Sequence, residues 1–241
     1  MENLKYPYVI NYMLRHLILF NVTDPLADTS RGYSSYTQYF SGTGAAGQIN
    51  YLARKPISGE KFIVQVSGVT KVDGTDYDLS VSSGTITWKA GKAPADGNDN
   101  ISVEYTAVKP WIYDDHPALS SSYFPRITIE SQTATYEPPG MGTYLTYNSG
   151  SGDRVIFQNV ISVRNRQNNI DYTYGSIKYR NMDLVDQISE NIVNYFQTNK
   201  HPCPWNFYYW NIDSVVRDRS EEDFGIFKKD IMLTLEYFDK S

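Results

Sequence analysis

The stretch NMDLVDQISENIVNYFQTN, residues 181–199, decides how the chain is read. Leu184, Val185, Ile188, Ile192, Val193, Tyr195 and Phe196 recur every three or four residues, which makes one apolar stripe on a 3.6-residue helix. Asp183, Asp186, Gln187, Glu190, Asn191 and Asn194 lie between them and form the wet face. Asn181 reads as the N-cap, and Asp183 and Asp186 place negative charge where the helix dipole favours it. Asn199-Lys200-His201-Pro202-Cys203-Pro204 ends the helix, because two prolines cannot continue it.

Two aromatic-rich strands are expected next, Trp205 to Val216 and Phe224 to Phe238. A helix with one apolar stripe and strands with one apolar face must bury them together. Upstream, Leu4 to Phe20 predicts a second amphipathic helix with Pro7 in its first turn. Its buried side is Val9, Ile10, Met13, Leu14, Leu17, Ile18 and Phe20. Arg126 to Ser131 alternates as a strand, and Arg154 to Arg164 is apolar enough in its middle to be central in a sheet. Tyr136 to Gly152 reads as loop, and Ile170 to Lys178 as a tyrosine-rich turn.

Between these parts the pattern changes. Residues 27–59 are rich in Ser, Gly, Tyr and Thr and read as loop, with one short strand near Gln48 to Ala53. From Lys61 to Val108 short alternating runs are separated by turn residues. They are Phe62 to Val66, Thr70 to Leu79 around Asp73-Gly74, Gly84 to Trp88 and Ile101 to Thr106, with Lys92 to Asn100 as a loop. Pro110 to Pro125 reads as a linker. The expected fold is therefore α+β: a mixed or antiparallel sheet flanked by two helices, in residues 1–27 plus 119–241, with an inserted all-β, sandwich-like module at 28–118.

The formal net charge is -5 and the pI about 5.2, which argues against a protein that grips the outside of DNA. The compact basic spots, Arg164-Asn165-Arg166 and Lys178-Tyr179-Arg180, read as solvated faces. The 21 tyrosines combine large apolar bodies with hydroxyls and suit both strands and interfaces. One cysteine, Cys203, excludes an internal disulfide and any Cys-rich zinc site. The run Val9 to Phe20 is broken by Asn11, Arg15 and His16, so neither a signal peptide nor a membrane span is expected, and folding in a reducing cytoplasm is.

Chemical motifs are sparse. The glycines of Ser41 to Gly47 lack the Gly-Lys-Ser/Thr ending that cradles phosphate. His16, His116 and His201 share no ligand spacing, and Glu137-Pro138-Pro139-Gly140 reads as a plain turn. Asp114-Asp115-His116 combines carboxylate and imidazole, which serve both metal binding and proton transfer, but it lies in a Pro-bounded linker. His201-Pro202-Cys203 has the residue types of a thiolate pair, yet the prolines suffice to explain it as a helix stop. Ser220-Glu221-Glu222-Asp223 offers oxygens to a hard cation but reads first as a solvated hairpin loop. No catalytic, cofactor or metal residue is expected.

The run Val72 to Tyr77, then Gly84 to Trp88, then Ile101 to Tyr105 resembles small β-domains of structural proteins in tailed viruses. The remainder resembles the tail terminator (tail completion) proteins of long-tailed viruses. The matching parts are the helix Leu4 to Phe20, Phe124-Pro125-Arg126-Ile127-Thr128-Ile129-Glu130, the strand Val155 to Val163, Tyr172 to Gly175, and Met182 to Ile188. The inserted module and the long aromatic C-terminal strands depart from that pattern. The resemblance implies a virion neck protein assembled in the host cytoplasm. It would form a six-fold homo-oligomeric ring that ends tail-tube polymerisation and docks the head connector. Its partners would be the tail-tube and connector proteins, with DNA only as passing cargo, no cofactor and no membrane. Ring contacts by β-augmentation are expected at Arg126 to Ser131 or Asp230 to Phe238. Two other classes remain in view. One is a receptor- or carbohydrate-binding virion protein with Trp88 and Trp111 as a sugar platform; the other is a small hydrolase using His116 or Cys203.

Overall fold

The computed structural model describes residues 7–26, 31–114, 124–137, 153–168, 171–174, 176–199 and 209–239. The chain divides into two compact units, Met1–Pro25 with Trp111–Ser241, and Leu26–Pro110. Among the described residues it is mostly β-sheet with two long helices and several antiparallel sheets, compatible with an α+β class. Residues 111–114 belong to the first unit, not to the insertion as expected, because part of this stretch is a sheet strand there.

In the first unit, helix α1 spans Pro7–Asn21 and helix α2 spans Asn181–Thr198. Five strands form one sheet: β8 (Ile112–Asp114), β9 (Arg126–Glu137), β10 (Asp153–Arg166), β13 (Tyr209–Asp218) and β14 (Ile226–Asp239). Their order is β13-β14-β10-β9-β8, antiparallel except for β8 against β9. β10 is thus the middle strand, as its apolar centre predicts. Tyr172–Tyr174 (β11) and Ile177–Tyr179 (β12) pair as a small hairpin leading into α2.

Residues directly opposite in neighbouring strands share a face. One face carries Ile129, Ile161 and Ile231 in one row and Phe157, Leu235 and Trp210 in another, all buried. Both helices lie on this face. From α1, Asn11 accepts a 2.7 Å bond from Ser131, which also bonds Asn159 at 2.8 Å. From α2, Phe196 meets Trp210, and Asp186 pairs with Lys229 at 2.7 Å.

The two stripes are close to their predicted form. Val9, Ile10, Met13, Leu14, Leu17 and Ile18 are buried on α1, and Leu184, Val185, Ile188, Ile192 and Phe196 on α2. Ser189 also lies in the α2 stripe, its hydroxyl bonded back to the Val185 carbonyl. Asn181 is not the N-cap. Arg180 holds that place without a side-chain cap, and Asn181 is the first helical residue at a φ of 47°, a conformation asparagine tolerates. Its carboxamide oxygen instead accepts the Asn168 N–H at 3.2 Å.

The second unit holds two antiparallel sheets. One has the order β1-β7-β3-β4, from Tyr33–Gly42 (β1), Gly97–Val108 (β7), Phe62–Val66 (β3) and Val69–Lys71 (β4). The other is β2-β6-β5, from Ile49–Tyr51 (β2), Thr85–Trp88 (β6) and Tyr77–Ser80 (β5). Two expectations change here, and one turn joins different sheets. Residues 33–42 form a ten-residue strand where loop was expected. β7 starts at Gly97, inside the expected loop. The Asp73-Gly74 turn closes no hairpin, because β4 and β5 belong to different sheets. Gly74 still makes the turn with a φ of 76°, and Asp73 accepts the Leu79 N–H at 3.0 Å.

Candidate interaction surfaces

The expected chemical positions separate in space or lie outside the described residues. His116, His201 and Cys203 are outside them, as are Asp115 and Pro138 to Gly140. Asp114 is committed to Arg15 of α1 at 2.8 Å. His16 is buried and stacks on Phe20 with ring centroids 4.7 Å apart. The acidic loop is engaged by cations: Glu221 faces Arg164 at 3.4 Å, and Glu222 pairs with Arg217 at 2.9 Å. Among the described residues no group of three or more His, Cys, Asp and Glu converges on a metal position. No helix among them is long and apolar enough to cross a membrane.

Trp88 and Trp111 make no sugar platform. They are 1% and 2% exposed, and the Trp88 indole N–H donates to Asn50 at 2.8 Å inside the module. The alternation Thr85-Ile86-Thr87-Trp88 puts tryptophan on the same side as Ile86, which is buried. Beside it Tyr77 is buried too; burial, then the charges of Asp73 and Asp76, push its phenol up to about 12.

The sheet face opposite the helices of the first unit is laced with polar pairs. Arg154 forks onto Glu236, Ser162 donates to Asp230 at 2.5 Å, and Thr234 donates to Asp213 at 2.6 Å. Across it runs a row of three cations, Arg126, Arg164 and Lys228, ending in Asp218. Like charges placed opposite one another repel, so the row depends on Glu221, Asp218 and Asp230. Arg164 is 4% exposed, so the Arg164-Asn165-Arg166 run is not the solvated patch it suggests. Burial, then the neighbouring Arg164 charge, hold the Arg126 guanidinium below the usual arginine range. The Lys228 bond holds the Asp218 carboxyl well below the carboxylate range. Burial alone would lower Lys228, but its bonds to Asp218 and Asp230 outweigh that and raise it. Arg180, by contrast, is exposed and paired with Asp171.

The strands expected to pair between subunits are largely engaged in this sheet. β9 has β10 on one side and β8 along Ile127 to Ile129 on the other, and Asp230 to Glu236 of β14 lie between β10 and β13. Among the described residues β13 is the edge beside β14. It carries a bulge between Ile212 and Ser214, and the charges of Asp213 and Arg217, features that discourage strand addition. Past the bulge Val215 and Val216 are exposed on opposite faces, and Phe224 at the tip of the hairpin is 76% exposed. In the second unit β4 is a three-residue edge, while β1 is a ten-residue edge without a single charge. Its sequence, Tyr-Ser-Ser-Tyr-Thr-Gln-Tyr-Phe, has the tyrosines every third residue and so carries no two-residue alternation that would have marked it as a strand. Compared with models of known protein families and with curated proteins, the sequence matches none.

Proposed function

We propose that this chain is a structural virion protein, the tail terminator of a long-tailed virus. On this reading six copies close as a ring on the head-proximal end of the tail tube and offer a docking face to the head connector. The chain works by assembly, not catalysis, and is put together in the host cytoplasm. A tube grows by head-to-tail contacts and stops only when a ring with a different upper face is added.

The observation that carries this reading is the element order of the first unit. With the insertion and the three-residue strands β8, β11 and β12 set aside, α1 is followed by β9, β10, α2, β13 and β14, the order that carried the resemblance in the sequence. The end of the β13–β14 hairpin, with Val215, Val216 and Phe224 exposed, gives such a ring apolar contact residues. The inserted module is sandwich-like on this reading. Support comes from Val64, Ile101, Val103 and Tyr105 of one sheet and Tyr77, Ile86 and Trp88 of the other, all buried.

The test is particle mass and negative-stain imaging of the full chain, with and without tail-tube protein. Six-fold rings, formed alone or on adding the tube protein, are expected. A chain that forms no ring with tube protein present overturns the assignment.

A further inference from the structure

β1 is an edge that lacks the usual protection. From Tyr33 to Phe40 its register on β7 is regular, and the strand has no Lys, Arg, Asp, Glu or Pro. Among the described residues no strand lies on its outer side. The backbone groups facing that side can be assigned. Thr106 of β7 donates its N–H to Lys61 and accepts from Ile57, both away from β1. Its partner Ser35 is therefore in a non-hydrogen-bonded pair and turns its own N–H and C=O outward. By alternation Tyr33, Thr37 and Tyr39 do the same. Their side chains lie on the open face of the sheet, where Tyr33 is 55% and Tyr39 60% exposed.

The sequence of this edge is self-complementary about Tyr36. An antiparallel second copy centred there puts Tyr33 opposite Tyr39 and Ser35 opposite Thr37, each twice, with Tyr36 facing its own equivalent. Every outward backbone group then meets one of its own kind of partner. The matched pairs are aromatic on aromatic and hydroxyl on hydroxyl, both favourable across strands, and no charge opposes another.

We propose that β1 joins two copies of this chain by antiparallel, two-fold strand pairing, extending the four-stranded sheet into a continuous eight-stranded one. Such a contact is isologous. It links copies across a two-fold axis, whereas neighbours around a ring are related by the ring rotation, so it stands apart from the ring interface proposed above.

The experiment is light-scattering mass of the full chain without tail-tube protein, for wild type and three variants. Ser35→Lys with Thr37→Lys sets lysines opposite lysines and is expected to halve the particle mass. Ser35→Glu with Thr37→Lys sets glutamate opposite lysine across the pair and places the lysine opposite Glu104 of β7, so it is expected to keep the wild-type mass. Thr37→Pro removes an outward N–H and spares the β7 ladder, so it also halves the mass and serves if the double-lysine chain melts early. The proposal is overturned if the double-lysine and Thr37→Pro chains keep the wild-type mass, or if the lysine–glutamate chain falls with them.

Discussion

Trp210 donates its indole N–H to the main-chain carbonyl of Phe196 at 2.9 Å, and their rings meet edge to face with centroids 4.9 Å apart. The Phe196 carbonyl belongs to the last turn of α2, where helix carbonyls have no partner within the helix. One side chain therefore fills the groove between α2 and β13 and finishes the helix. Trp210→Phe keeps a ring but orphans the carbonyl, at a cost of about 1 kcal/mol. Trp210→Ala loses the ring as well and costs about 3–5 kcal/mol. Urea titrations of the two variants against wild type measure both steps, and a Trp210→Phe chain as stable as wild type would show that the indole bond contributes nothing.

The Asp218–Lys228–Asp230 group sets a pH window. The folded Asp218 carboxyl lies below its ordinary value of 3.8, so its stabilisation is present above that value and fades as pH falls through the lower, folded one. The folded Lys228 lies above its ordinary 10.5, so its stabilisation is present below that value and is lost as pH rises past it. Stability from this group is flat near neutrality and falls at both extremes. Asp218→Asn is expected to be weaker than wild type at pH 7 and to lose less than wild type on acidification below about pH 4. Thermal melts at neutral and acid pH read the difference; parallel losses in the two proteins would remove Asp218 from the acid limb.

What the sequence makes legible here is what burial makes periodic. The α2 stripe reads cleanly because one face is packed along the helix, and β10 reads as central because its middle is largely apolar. β1 gives no such signal. Neither of its faces is fully buried, it holds no Val, Ile or Leu, and it is a strand because β7 offers it a partner. The Asp73-Gly74 turn was visible, but a turn is local and does not tell which sheets its two arms enter. Arg164 looked solvated because its counter-charge, Glu221, arrives from a distant loop. Edges are illegible for the same reason: whether a strand is interior depends on strands far along the chain. The candidate surfaces, β1 and the β13–β14 hairpin, are set by strand order, which no local pattern encodes.

Asn50 exists to receive Trp88. With the indole N–H buried, Asn50→Ala leaves a donor without its acceptor at a cost of about 1–3 kcal/mol. In a Trp88→Phe background there is no donor to strand, and the same substitution is expected to cost less. The double-mutant cycle isolates the pair, and additive losses would show that the bond does not couple the two residues.

Gly42 ends β1 at a place where a side chain has no room. A methyl group there would overlap the Ala95 carbonyl oxygen and press on the Asn100 carboxamide. That carboxamide clasps the region: its oxygen accepts the Gly42 N–H at 2.7 Å and its nitrogen donates to the Ala95 carbonyl at 2.9 Å. Gly42→Ala must therefore push the two segments apart and break both bonds, with an overpacking cost of about 1–3 kcal/mol. Asn100→Ala breaks the bonds and leaves the backbone free to stay in place, so it is the milder of the two on steric grounds. If β1 is the two-fold edge inferred above, loosening its end lowers the melting temperature without halving the particle mass, because Tyr33 to Tyr39 keep their register. A Gly42→Ala chain as stable as wild type would mean that the approach of residue 42 to Ala95 is not a fixed feature of the module.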